Sequence, residues 1–199
     1  MDPQLAAVIV HDLKNALGEL ETELAALTAD LDQGKATEAH HHCLALRDKM
    51  VGFLTLYKAS EHGLQPRIEA VNPEDFLNGL IRAHHKAGIT ITLDTDDMPA
   101  IAFFDEHLLG LALDAALQNA LRFAKSSIVV GCKTIADETV FTIQDDGPGL
   151  GTPEEKPSTG MGMALSSAIA AAHHNELREG RVRLHNLPHG GALFCLYLP

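Results

Sequence analysis

Leucines at 13, 17, 20, 24, 27 and 31 recur at spacings of four and three, a heptad stripe that predicts a long helix over residues 5–33. A polar break, DQGK at 32–35, precedes residues 38–58, where Cys43, Leu46, Met50, Phe53 and Tyr57 continue the same rhythm. Two long helices joined by a short turn make a helical hairpin. Such a hairpin has too little surface to bury both stripes, so the pattern predicts that two copies associate into a four-helix bundle and that the protein is a homodimer. The alternative is a two-helix cap packed on the domain that follows.

The pattern changes at SEHGLQPR, residues 60–67, which divides the chain into a helical domain at 1–61 and a second domain at 62–199. In VNPEDFLNGLIRAHHKAG, Asn72 predicts a helix cap and Pro73 the first helical position. ITITLDTD alternates as a strand, whereas DEHLLGLALDAALQNALRFA reads as an apolar helix capped by Asp105. SSIVVGCKT and ETVFTIQDD read as paired strands. A small-residue helix over 163–173 and the strands RVRLHN and GALFCLYLP complete the chain. The predicted class is α+β: a helical hairpin forming a dimeric four-helix bundle, followed by an α/β sandwich with helices on one face of a sheet.

Composition narrows what this architecture is for. At 199 residues and 46% apolar content, the chain is long enough to bury a core. Its longest apolar runs fall short of the ~20 residues of a membrane span, so no membrane insertion is expected. The first residues lack the basic region of a signal peptide. Three cysteines without CxxC spacing suggest neither a disulfide framework nor a zinc site, and a reducing cytoplasm fits them best. A net charge of −12 without a long basic cluster argues against nucleic acid as a partner. Any bound nucleotide must therefore bring a cation, for which Mg²⁺ is the expectation.

Two glycine clusters, QDDGPGLG at 144–151 and STGMGMAL at 158–165, supply the parts of a nucleotide pocket: a carboxylate to accept from an adenine amino group, and bare backbone where phosphates come close. ALQNALRFA at 116–124 and VHDLKNALG at 10–18 precede them. In that fixed order the four motifs resemble the H, N, G1 and G2 boxes of two-component sensor histidine kinases, and the resemblance covers nearly the whole chain. The second domain is similar to the ATP-binding domain that these kinases share with certain gyrases, chaperones and mismatch-repair proteins.

The resemblance implies a role for each matching position. His11 is the phospho-acceptor, Asp12 the acid that orients or deprotonates it, and Asn15 the polar residue that positions a hydrolytic water in members with phosphatase activity. Asn119 is the Mg²⁺ ligand and Arg122 a phosphate partner, both on one turn of the same helix. Ala115 stands where many members carry a second asparagine, which leaves the metal one protein ligand fewer. Asp145 reads adenine, Gly147 and Gly149 match the first glycine box, and Gly160 and Gly162 open a helix whose N–H groups face phosphate, with Thr159 and Ser158 adding hydroxyls. The ten residues between Gly149 and Gly160 make a short lid without phenylalanine and with Lys156 as its cation.

The activity implied is autophosphorylation of His11 from Mg²⁺ and ATP, then transfer to an aspartate of a response-regulator receiver domain docked near Val8 and Leu17, with dephosphorylation of that regulator as a second activity. No sensor domain or membrane segment is read in the sequence, so the expectation is either a core excised from a longer kinase or a protein that takes its input from a separate sensor protein. The competing reading is a histidine phosphotransferase or regulator phosphatase with a weak or relic nucleotide domain. A serine kinase acting as an anti-sigma switch shares the fold but needs no hairpin with HDLKN. His40, His41 and His42, His84 with His85, and His173 with His174 lack the i, i+4 spacing of a metal site. Glu21 and Glu23, and Glu154 with Glu155, read as solvated charges.

Overall fold

A computed structural model describes residues 1–84, 88–151 and 160–199. The chain divides into two compact units, one formed by Met1–His62 and one that starts at Gly63 and includes residues 162–199.

The first unit is an antiparallel hairpin of α1 (Pro3–Ala29) and α2 (Gln33–His62). Asp2 caps α1 by accepting from the Gln4 amide, and Asp32 accepts from the Lys35 amide, so α2 begins inside the segment expected as the break. The heptad stripe divides between two faces. Leu20, Ala39 and Leu46 form the buried seam with Leu13 and Ala16 against them, whereas Leu17, Leu24 and Leu31 are exposed, as are Met50 and Tyr57. Polar contacts clip the seam: Lys49 to Asp12 at 3.0 Å and His42 to Glu23 at 2.6 Å. Glu23 is therefore not the free surface charge expected. Its Oε1 joins the two helices, and its Oε2 is shielded from water.

The second unit carries a five-stranded sheet in the order β2-β4-β5-β7-β6. Its strands are β2 (Thr90–Asp94), β4 (Ser127–Ile135), β5 (Glu138–Asp145), β6 (Arg181–Asn186) and β7 (Ala192–Leu198). The β2–β4 pair is parallel and the others are antiparallel. Alternate residues project to one face, and Ile128, Val130, Cys132, Phe141, Ile143, Phe194, Leu196 and Leu198 are the buried set. Onto it pack α3 (Pro73–Ala83) and α4 (Glu106–Phe123). The helix α5 (Met161–Ala172) is tied to α4 by the Ser166 hydroxyl, which donates to the Ala112 carbonyl. Phe76, Phe104 and Phe141 pack with centroids 5.1 to 6.2 Å apart, Phe141 meeting the other two rings edge-on, and join α3 and β5 to a small second sheet. That sheet, β1 (Glu69–Val71) against β3 (Ala102–Phe104), was not anticipated; three residues per strand are too few for alternation to show. On the other face of the main sheet Arg181 pairs with Glu138 and lies 4.2 Å over the Tyr197 ring. Among the described residues no helix is long and apolar enough to cross a membrane.

The cap of α4 is a hub. Asp105 accepts from the Leu108 amide at 2.8 Å through one oxygen and from the Arg67 amide at 2.7 Å through the other. Its own N–H donates to His173 Nε2 at 3.0 Å, while His173 Nδ1 donates to the Ile169 carbonyl at 2.8 Å. Both ring nitrogens are therefore assigned, and the buried ring must be neutral. Burial pushes the His173 pKa below its ordinary value of 6.5. As pH falls the unfolded chain takes up this proton first, so the associated stability is complete above pH 6.5 and is lost between that value and the lower folded one. In urea unfolding below that pH, the wild-type chain is expected to lose stability relative to His173→Gln, by at most about 1.4 kcal/mol per pH unit. Parallel pH curves for the two proteins would show that His173 carries no such linkage.

Candidate active site

Candidate residues gather in two places, one in each unit. In the second unit, β5 delivers Asp145 to the end of the sheet, where it is nearly buried. Its Oδ1 accepts from the Gly147 amide at 2.8 Å and from the Ala192 amide at 3.3 Å. Both bonds fall on Oδ1, which leaves Oδ2 to accept from a ligand. Glycine is obligatory around this carboxylate. A Cβ on Gly147 would lie 2.5 Å from the Phe123 carbonyl oxygen, and one on Gly191 would lie 2.0 Å from that of Asp145. Gly149, at φ +84°, would put a Cβ 2.6 Å from the Asn186 amide oxygen.

Asp146 has a different task. It accepts from the Lys125, Ser126 and Ser127 amides and from the Ser126 hydroxyl at 2.6 Å, fastening the glycine loop to the segment that leaves α4. The Ser126 hydroxyl and then these amides hold its carboxyl far below the usual carboxylate range.

On α4, Asn119 and Arg122 lie on the exposed side, three residues apart, while Leu113, Ala116, Leu117 and Ala120 fill the core side. The Arg122 guanidinium sits 5.2 Å over the Phe123 ring. Gly162, in the first turn of α5, faces Ala115: a Cβ there would come 3.6 Å from that of Ala115. Gly160 has φ +74° immediately before the helix. Thr159, Ser158 and Lys156 lie outside the described residues. The carboxylate nearest in sequence to Ala115 is Asp114, which is engaged by His84 Nε2 at 2.6 Å and by the Gln118 amide at 2.7 Å. Asn119, exposed on the same helix, could offer its amide oxygen to a cation.

In the first unit His11 is exposed on α1, and Asn15 Nδ2 stands 3.2 Å from its Nδ1. Asp12 does not reach the ring. Its carboxylate bonds Lys49 across the hairpin at 3.0 Å. Among the described residues no group of three or more His, Cys, Asp or Glu side chains is arranged to hold a metal, the 40–42 histidines included.

The sequence reading missed Asn186, Gly190, Gly191 and Ala192, the hairpin that forms the second wall of the glycine loop. Asn186 both accepts from the Leu150 amide and donates to the Leu150 carbonyl. The signal was present as a third glycine pair, HGG at 189–191, opening the last strand.

Comparisons with known proteins agree with this geometry. Residues 104–199 match the family described as histidine kinase-, DNA gyrase B- and HSP90-like ATPase. The chain is 22% identical to the sensor histidine kinase CpxA of Escherichia coli K12 over 218 aligned positions, covering 98% of this chain and 46% of CpxA. It thus spans about half the length of the curated relatives it matches. Its fold is similar to that of the Acinetobacter baumannii histidine kinase AdeS, with a TM-score of 0.72 at 18% identity over 94% of this chain and 96% of that one. It is also similar to the histidine kinase ThkA solved in complex with the response regulator TrrA, with a TM-score of 0.67 at 14% identity over 99% of this chain and 61% of that one. Residues 104–199 thus match that ATPase family, and the fold, a helical hairpin and a unit built on a five-stranded sheet, is similar to that of the histidine kinases AdeS and ThkA.

Exchanging Asp145 for Asn keeps an oxygen for the Gly147 and Ala192 amides but removes the charged acceptor. Calorimetry is expected to show adenine nucleotide binding weakened by about 10- to 150-fold, the equivalent of roughly 1.5–3 kcal/mol for a hydrogen bond to a charged group. An unchanged affinity would show that Asp145 does not contact the base.

Proposed function

We propose that the protein is a histidine kinase that transfers the γ-phosphoryl group of ATP to His11 and then to an aspartate of a response regulator. The observation that carries this reading is the Asp145 cradle, whose glycines leave no room for a Cβ and whose two amides both hold Oδ1, while its Oδ2 is left for a ligand. The catalytic roles of Asp12 and Asn15, and the nucleotide roles of Asn119, Arg122, Gly149, Thr159, Gly160 and Gly162, belong to the same proposal. Bound Mg²⁺ would offset charge on the phosphates, with Asn119 as its protein ligand. The chain's own contribution is positioning. Asp145 and the first glycine loop fix the base, Arg122 and the start of α5 face the phosphates, and His11 is exposed on α1 with Asn15 beside its Nδ1.

ThkA, one of the similar structures, was solved in complex with a response regulator, which supports a receiver domain as the partner here. The exposed apolar residues of α1, Val8 and Leu17 among them, offer it a surface beside His11. Asn15 is placed to orient a water toward a phosphorylated regulator, so dephosphorylation belongs to the same proposal. ATP as substrate puts the reaction in the cytoplasm, with input from a separate sensor or from segments outside this chain.

The working unit is a dimer. Leu17 and Leu24 on α1 with Leu31 just beyond its end, and Cys43, Met50 and Tyr57 on α2, repeat every seven residues and are exposed in the single hairpin. A second hairpin covers both rows in a four-helix bundle.

Two measurements test these readings. With γ-labelled ATP and Mg²⁺ the chain is expected to acquire acid-labile, alkali-stable label. His11→Gln should lose all of it while binding nucleotide as before; label retained in that variant refutes the assignment of His11. A wild-type chain that takes no label from ATP but accepts phosphate from a phosphorylated regulator would establish the phosphotransferase reading instead. Leu24→Glu should sediment as a monomer where the wild type sediments as a dimer, and an unchanged dimer would place the interface elsewhere.

A further inference from the structure

We infer that Asn186 is a positioning residue for adenine: its side-chain amide fastens the exit of the first glycine loop, so that the loop stands formed around Asp145 before nucleotide arrives. The inference rests on Asp145 reading the base. Asn186 ends β6, opposite Ala192 in the last pair of the β6–β7 ladder. Its Oδ1 accepts from the Leu150 amide, and its Nδ2 donates to the Leu150 carbonyl at 3.4 Å. One side chain thereby serves both backbone groups of a single residue, as a neighbouring strand would. A carboxylate could not donate to the carbonyl, and a hydroxyl has only one oxygen for both tasks.

The same hairpin holds the other end of the loop. The Ala192 amide donates to Asp145 Oδ1 at 3.3 Å, and a Cβ on Gly191 would stand 2.0 Å from the Asp145 carbonyl oxygen. The hairpin turn is itself closed, by the Leu187 amide on the Gly191 carbonyl at 3.0 Å and the Gly190 amide on the Leu187 carbonyl at 3.2 Å. The segment from Asp145 to Leu150 is thus tied at both ends to one closed hairpin. Between the ties Gly149, at φ +84°, passes so close to Asn186 that a Cβ would meet its Oδ1 at 2.6 Å. Leu150 and Asn186 are both exposed, so water would satisfy the same backbone groups and the clamp adds little to global stability. What it fixes is the course of the loop. A loop already ordered leaves the ligand less conformational freedom to remove, and it keeps Asp145 Oδ2 in line with the adenine amino group.

Calorimetry on the full chain tests this in wild type, Asn186→Ala and Asn186→Asp, with ATP and with ITP, which has a carbonyl oxygen where ATP has its amino group. Asn186→Ala is expected to weaken ATP binding about three- to ten-fold, the scale of one or two neutral hydrogen bonds, and to leave ITP binding unchanged, so that the preference for ATP narrows. Asn186→Asp keeps an acceptor for the Leu150 amide and should lose less. Hydrogen exchange at that amide should speed up in Asn186→Ala and not in Asn186→Asp, while the urea midpoints of all three proteins stay together. Unchanged ATP affinity in Asn186→Ala, equal losses for ATP and ITP, or a Leu150 amide that exchanges freely in the wild type would each overturn the role of Asn186. A wild type that binds ATP no better than ITP would overturn Asp145 as the base contact, a failure told apart from the others because it shows in the nucleotide comparison of the wild type alone.

Discussion

The close approach of main chain to main chain around Asp145 is the constraint on which the nucleotide unit depends. A carboxylate at the end of a sheet is fixed only if donors reach it from more than one side. Here the amides of Gly147 and Ala192 do so from two separate loops. Gly147 is wedged against the carbonyl of Phe123 at the end of α4, and Gly191 against the carbonyl of Asp145 itself. Neither position has room for a Cβ, so the site is built from backbone geometry before any side chain contributes. Asp146 completes the enclosure by gathering three consecutive amides after α4.

The same economy governs α4. One carboxylate, Asp105, caps α4, receives the Arg67 amide from the segment that opens this unit, and through its own N–H is tied to His173 beyond α5. The two helices, α4 carrying Asn119 and α5 opened by Gly160 and Gly162, are thereby joined at the ends away from those residues. A neutral buried imidazole is a rigid connector because both its nitrogens are committed, one as donor and one as acceptor. Its weakness is the same property, since a proton on Nε2 removes the acceptor that Asp105 requires.

The hairpin works by a different balance. Its apolar seam is narrow, Leu20 with Ala39 and Leu46, and polar clips flank it. Each clip is partly exposed and contributes little to stability by itself.

Patterning alone determined the order of the helices and of the five main-sheet strands, though not β1 and β3, as well as the α+β class, the caps at Asn72 and Asp105, and the presence of Asp145 and its glycines at a strand end. These are consequences of local rules: heptad spacing, alternation, capping chemistry and the conformations that only glycine reaches freely. The sequence could likewise propose that HDLKN sits on an exposed helical face. It could not show that the hairpin at 186–192 closes over Asp145, since those residues lie more than 40 positions away and carry no periodic signal. Nor could it divide the leucine stripe into a seam and an open face, assign Glu23 to His42, or reveal that Asp12 turns to Lys49 and leaves His11 to Asn15. Periodicity reports which residues share a helix face, but the partner of a charged side chain is chosen by whatever the fold brings within about 3 Å of it, and only tertiary structure decides that.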